Sequence, residues 1–157
     1  MNQRDYAADL GALGYPGFSY VKGLTTADPG ELLLSALSEP DLDSRIVEGL
    51  PWVVLSYVEI DWSWLVEKAK LTRRQNRLGF LVSVATELAQ RTNKNECVPT
   101  LQRQLEILEM CRLSEEDTLC HDSMTEAERV WARKHRSPAA VHWNLLTDMR
   151  AEQLFTG

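Results

Sequence analysis

Three histidines, His121, His135 and His142, and three cysteines, Cys97, Cys111 and Cys120, are the side chains best suited to hold zinc or to pair a nucleophile with a base. Local sequence supplies either chemistry through a short chelate spacing such as CxxC or HxxxH, or through a recognisable cysteine signature. None occurs. Cys120 and His121 are adjacent, and on a helix neighbouring side chains point about 100° apart. Pro40-Asp41 would suit the start of a metal-dependent nuclease core, but that core needs a strand carrying Glu-x-Lys. Here Glu67 is followed by Lys68-Ala69 inside a helical pattern. No glycine-rich phosphate loop is present. The motifs therefore give no catalytic set, no metal site and no cofactor, and an enzyme is the least supported class.

Charge is the stronger signal. The formal net charge is -6 and the isoelectric point is near 5.1, yet the charges are segregated. Residues 28–67 hold nine acids and one base, Arg45, whereas residues 68–77 hold five bases, Lys68, Lys70, Arg73, Arg74 and Arg77, and no acid. Thr72-Arg73-Arg74-Gln75 has the form of a capping box, so a helix is expected to start there with the arginines in its first turn. Positive charge at that end opposes the helix dipole by a few tenths of a kcal/mol per residue, so a compensating group is expected.

Three compensating groups are weighed. The first is a set of carboxylates of this chain, such as Asp41, Asp43 or Asp61, forming a solvated ionic face in which each pair contributes little. The second is a protein partner, since arginine is enriched at interfaces. The third is nucleic acid: helix, three-residue turn and helix is a helix-turn-helix arrangement, and arginine, glutamine and asparagine make two-point contacts to base edges. An acidic protein meets phosphate repulsively over a Debye length of about 8 Å, which ranks a protein partner ahead of DNA. Lys70, Arg73, Arg74, Gln75, Asn76 and Arg77 are the candidate interaction residues under either reading.

The elements that must position this turn read as helices. Gly11, Gly14, Gly17 and Gly23 around Pro16 predict an irregular start, with a short strand over 18–21 as an option. Asp28-Pro29 is a cap and first-turn pair, opening a helix that Pro40 ends. A second helix follows Asp41–Asp43 and meets Gly49 and Pro51, where it is expected to kink or restart. A strand over 52–60 is the competing assignment. Asp61 caps a third helix, with Ile60 and Leu65 as a hydrophobic staple. Leu78, Leu81, Val82, Ala85 and Ala89 make the next helix central. Beyond the polar break 92–99, helices are expected from Thr100, from Ser114 with its following acids, from the capping box Thr125–Glu128 with Val130 and Trp131, and from Ser137-Pro138 through Trp143, Leu145 and Leu146. The five tryptophans read as core anchors, with an exposed one as a partner hot spot as the alternative.

The fold expectation is all-α, a compact bundle of six or seven short helices with an irregular glycine-rich N-terminal segment, in one domain over 1–157 with a subdivision at 92–99 as the alternative. No apolar run approaches the roughly 20 residues a membrane span needs. The N-terminus carries early acids and no apolar signal core, and the cysteines are odd in number, so the cytoplasm is the expected compartment.

Residues 46–57, IVEGLPWVVLSY, followed by 61–89, DWSWLVEKAKLTRRQNRLGFLVSVATELA, resemble helical segments of bacterial abortive-infection and toxin–antitoxin regulators of the AbiEi type. The basic turn followed by Arg77-Leu78-Gly79-Phe80-Leu81 carries the likeness. The winged-helix start of those regulators has no clear counterpart in the glycine-rich start here. The resemblance implies an antitoxin-like or accessory regulator of a mobile or defence locus. The combined expectation is a non-catalytic protein that binds a protein partner, with a DNA-reading regulator as the alternative.

Overall fold

A computed structural model describes residues 4–20 and 27–154. Among these, eight α-helices and one sheet of two short strands form the all-α architecture that the sequence predicts. The helices are α1 (Tyr6–Leu13), α2 (Pro29–Ser38), α3 (Ser44–Ser56), α4 (Trp62–Leu71), α5 (Gln75–Arg91), α6 (Val98–Glu109), α7 (Glu126–His135) and α8 (Pro138–His142). Strands β1 (Asp117–Thr118) and β2 (Leu145–Leu146) run parallel, Asp117 opposite Leu145. Helix α5 is the hub, packed most extensively against α6 and α3. Its residues 75–82 are all buried, so it is covered on every side rather than along one stripe. The buried apolar cluster includes residues on both sides of the break 92–99.

Caps set most of the helix starts. Asp28, Asp61 and Ser137 each accept a hydrogen bond from the amide three residues on, and Thr125 with Glu128 completes a reciprocal box. Helix α3 corrects the restart and the strand expected over 51–60, because it continues through Pro51 to Ser56. An interior proline costs about 3 kcal/mol. Leu50, Val53 and Val54 are wholly buried around it, and full burial of such side chains contributes about 1.5–3 kcal/mol each, enough to keep the helix whole.

The glycine-rich start is more ordered than expected. Asp5 caps α1, and Gly14, at φ 101°, closes it. Of the strand proposed at 18–21, Phe18 ends a 3-10 turn, and Val21 lies outside the described residues. Helix α6 begins at Val98 rather than Thr100, with Pro99 in its first turn.

The larger corrections fall in the second half. Ser114 starts no helix; residues 112–124 are irregular apart from β1. Helix α8 stops at His142, because Asn144 takes the left-handed conformation at φ 57°. The chain then turns to lay Leu145 and Leu146 against β1.

Trp143 lies over Gly79. A Cβ added there would sit 2.5 Å from Cζ3 and 2.6 Å from Cε3 and Cη2 of the indole. The ring is buried and its N–H donates to Ser83 Oγ at 2.9 Å, so it has little room to move. Gly79→Ala is therefore expected to destabilise by about 1–2 kcal/mol, an overpacking cost that exceeds the gain of about 1 kcal/mol alanine brings to a helix. Urea denaturation checks this; a stabilised variant would mean that the indole shifts freely.

Candidate functional site

The six predicted site residues separate into two groups. Lys70 and Arg73 are exposed and Arg74 is partly buried, whereas Gln75, Asn76 and Arg77 are buried. The reason lies in how α4 ends. Thr72 is its C-cap, and its hydroxyl donates back to the carbonyls of Lys68 and Ala69. The Arg73 amide donates to Lys70 O and the Arg74 amide to Ala69 O. This is a Schellman ending, with Arg73 at φ 57° in the place glycine usually takes. Thr72 is thereby committed to α4 and caps nothing in α5, which has no side-chain cap and starts two residues later than a box at Thr72 requires. The capping-box expectation is corrected accordingly, and with it the placement of Gln75, Asn76 and Arg77 on an accessible first turn.

The buried residues are consumed inside the protein. Gln75 Nε2 donates to Cys111 O at 3.1 Å. Asn76 Nδ2 donates to Leu113 O and Trp143 O, and its Oδ1 accepts from the Leu113 amide. Arg77 is fully buried. Its Nε and Nη2 reach both oxygens of Asp117 at 2.9 and 3.1 Å, and Nη2 also reaches Asp122 at 3.0 Å. Nη1 donates to the carbonyls of Leu37 and Glu39. Three of the side chains that a helix-turn-helix would turn to a groove, Gln75, Asn76 and Arg77, are thus not at a surface.

Intramolecular pairing is what offsets the dipole, but with other carboxylates than Asp41, Asp43 and Asp61. Asp41 accepts from the Ser123 amide, Asp43 pairs with Arg45, and Asp61 caps α4. The partners are instead the acids that resembled a helix start. Glu115 pairs with Arg73 at 2.8 Å, Glu116 with Arg133 at 2.9 Å, and Asp117 with Arg77 and Arg74. Three successive acids thus pair with arginines from different places, Glu115 with the turn before α5, Glu116 with α7 and Asp117 with the start of α5.

Burial works to raise the Asp117 carboxyl, but the Arg77 guanidinium outweighs it and holds the group below the usual carboxylate range. Because the folded-state value is depressed, the stability it contributes is present above about pH 4 and lost as pH falls through that lower value. Acid unfolding followed by circular dichroism is expected to be steeper in wild type than in Asp117→Asn over that window. Equal slopes would assign the acid sensitivity elsewhere.

A concavity lies away from this turn. A cleft of about 590 Å³ opens between α3, the 119–124 segment, α7 and the chain after β2. Val47, Leu119, Ala132, Leu146 and Met149 are its buried floor. Met124, Leu154 and Trp131 stand at its edge, and Trp131 is 50% exposed. Val130 and Trp131 do not point into the core as the helical pattern suggested; Ala132 is the buried residue of α7. The other four tryptophans pack in or against the core. The indole of Trp131 stacks on His135 at 4.4 Å between ring centroids, and His135 Nδ1 lies 2.8 Å from Trp131 O.

Cys120 also lines the cleft, but its thiol donates to Ala36 O at 3.3 Å and burial pushes it up to about 11, which keeps it protonated and a poor nucleophile. His121 Nε2 is 3.8 Å from Glu128, and both side chains are exposed. No group of three or more His, Cys, Asp or Glu among the described residues could hold a metal ion, and no helix among them is long and apolar enough to cross a membrane. Sequence reasoning missed the cleft because its walls come from four separated segments; only the tryptophan in the polar pattern of α7 signalled it. The chain matches no protein-family model, no curated protein and no solved structure.

Proposed function

We propose that this protein is a non-catalytic binding module that docks a segment of a protein partner in the cleft edged by Trp131. The observation that carries the reading is a half-exposed tryptophan at the mouth of an apolar-floored concavity. Partially exposed aromatics beside such pockets are where binding energy concentrates. The thiol in the cleft is protonated and hydrogen-bonded inward, so the site favours binding over chemistry. A DNA-reading role for the 72–77 turn receives no support from Gln75, Asn76 and Arg77, which are occupied internally.

The exposed cations Lys70 and Arg73 are left as contributors to a protein contact on another face. An accessory or antitoxin-like regulator, as the resemblance of residues 46–89 implies, works through such binding. Three free cysteines suit a reducing cytoplasm. Selection of random peptides displayed on phage against the folded protein tests the docking. Binders that lose affinity at least tenfold against Trp131→Ala are expected; a selection whose binders ignore that change would sink the proposal.

A further inference from the structure

Resting on that reading, we infer that the cleft takes a basic amphipathic helix, whose apolar face meets the floor while a lysine or arginine settles beside Trp131 against the carboxylates at the edge. Besides the Cys120 thiol, the titratable side chains lining the cleft are Glu48, Glu128, Asp148 and His121, and among the described residues no lysine or arginine lines it. Glu48 and Asp148 are exposed and form no ion pair among those residues. The nearest arginines in sequence are occupied elsewhere. Arg45 is paired with Asp43, Arg129 donates to the carbonyls of Asp122 and Met124, Arg133 is paired with Glu116, and Arg150 donates to the carbonyl of His135. An apolar floor with a negative edge is complementary to a ligand that is apolar on one side and cationic on its flank.

Trp131 adds a second attraction for the same charge. One face of its indole is covered by His135, yet the residue remains half exposed and lines the cleft. Tryptophan is the aromatic ring that best attracts an ammonium or guanidinium group. A helix rather than an extended strand is the occupant because strand addition needs a free sheet edge. The sheet among the described residues has only two strands of two residues each. Helices seat apolar side chains in grooves at i, i+3, i+4 and i+7, the spacing that also leaves their flanks free for lysine.

Three dye-labelled, end-capped peptides of 14 residues test this. All carry leucine at i, i+3, i+4 and i+7, and the flanking positions are lysine, glutamine or glutamate. Fluorescence anisotropy with the full chain is expected to rank lysine about tenfold tighter than glutamine, with glutamate weakest. High salt should narrow the gap. The double variant Glu48→Gln, Asp148→Asn should erase the lysine preference while its thermal midpoint stays near wild type, since both side chains are exposed. Equal binding of the lysine and glutamine peptides, both lost in Trp131→Ala, overturns the charge inference and leaves the docking reading standing. Lysine-peptide binding indifferent to Trp131→Ala and to the double variant overturns the inference as well, since it means adhesion elsewhere on an acidic surface. If none of the three binds at millimolar concentration and the displayed selection also yields no Trp131-dependent binder, both fall.

Discussion

The Arg77→Ala variant is expected to lose about 3 kcal/mol of unfolding free energy, the low end of the range found when one partner of a buried ion pair is removed, because Arg77 is buried while Asp117 and Asp122 keep some exposure. Single domains hold about 5–15 kcal/mol in total, so the loss is a large fraction of the whole. The reason is the number of groups it would orphan. Arg77 satisfies both oxygens of Asp117, one of Asp122, and the carbonyls of Leu37 and Glu39 from a position with no solvent exposure. Those carbonyls end α2, and the carboxylates belong to the 115–124 segment, so one side chain on the hub helix ties together three parts of the chain. Arg77→Lys is expected to recover less than half of the loss, because one ammonium cannot reproduce the planar fork that meets the two oxygens of Asp117. Arg73→Ala, whose exposed pair with Glu115 contributes about 0–1 kcal/mol, is the control. Guanidinium denaturation of the set measures all three; a loss below about 1 kcal/mol for Arg77→Ala would show that water reaches the site.

The same turn shows what local sequence conveys and what it does not. Asp28, Asp61, Thr125 and Ser137 were readable as helix caps because a cap acts on an amide two or three residues away, within the window a pattern can cover. Thr72 has the same local form and does something else. Whether a threonine caps the next helix or closes the preceding one depends on which backbone takes the left-handed turn, and Arg73 takes it where a glycine would have announced it. That the arginines needed a compensating group followed from the helix dipole, and carboxylates of this chain were one of the three readings. Which carboxylates was beyond reach, because Asp117 and Asp122 lie 40 and 45 residues further on.

Those acids also misled, since Ser114 followed by Glu115, Glu116 and Asp117 fits a helix start until each acid is claimed by an arginine. Position along α5 decided the fate of the basic turn. Arg73 and Arg74 precede the hub helix and keep some exposure, whereas Arg77 lies one turn inside it, where the chain is covered on every side. A partner-binding surface could not be read from charge alone. The strongest basic run became a structural clasp, and the candidate cleft is marked by a single tryptophan in an otherwise polar helix.

The Asn76→Ala variant is expected to lose about 2–3 kcal/mol. Asn76 is 2% exposed and is bound through both ends of its amide. Leu113 O would keep a donor, because Asn144 Nδ2 also reaches it at 2.8 Å. Trp143 O and the Leu113 amide have no other partner among the described residues and would be left unpaired. An unsatisfied buried group costs about 1–3 kcal/mol, and the Leu113 site is only part-buried, which places the sum toward the lower half of the combined range. The effect should not be uniform across the molecule. Asn76 ties α5 to the end of α6's following loop and to the turn before β2, and Leu146 and Met149 beyond that turn form part of the cleft floor. Hydrogen exchange is therefore expected to accelerate first in 113–118 and 143–149, ahead of α3 and α5. Peptide binding in the cleft should weaken although the substitution touches no residue of it. Uniform acceleration would mean that Asn76 contributes only to global stability. Unchanged exchange at 143–149 would detach the cleft from the clasp altogether, and the basic turn would then have no bearing on what the cleft binds.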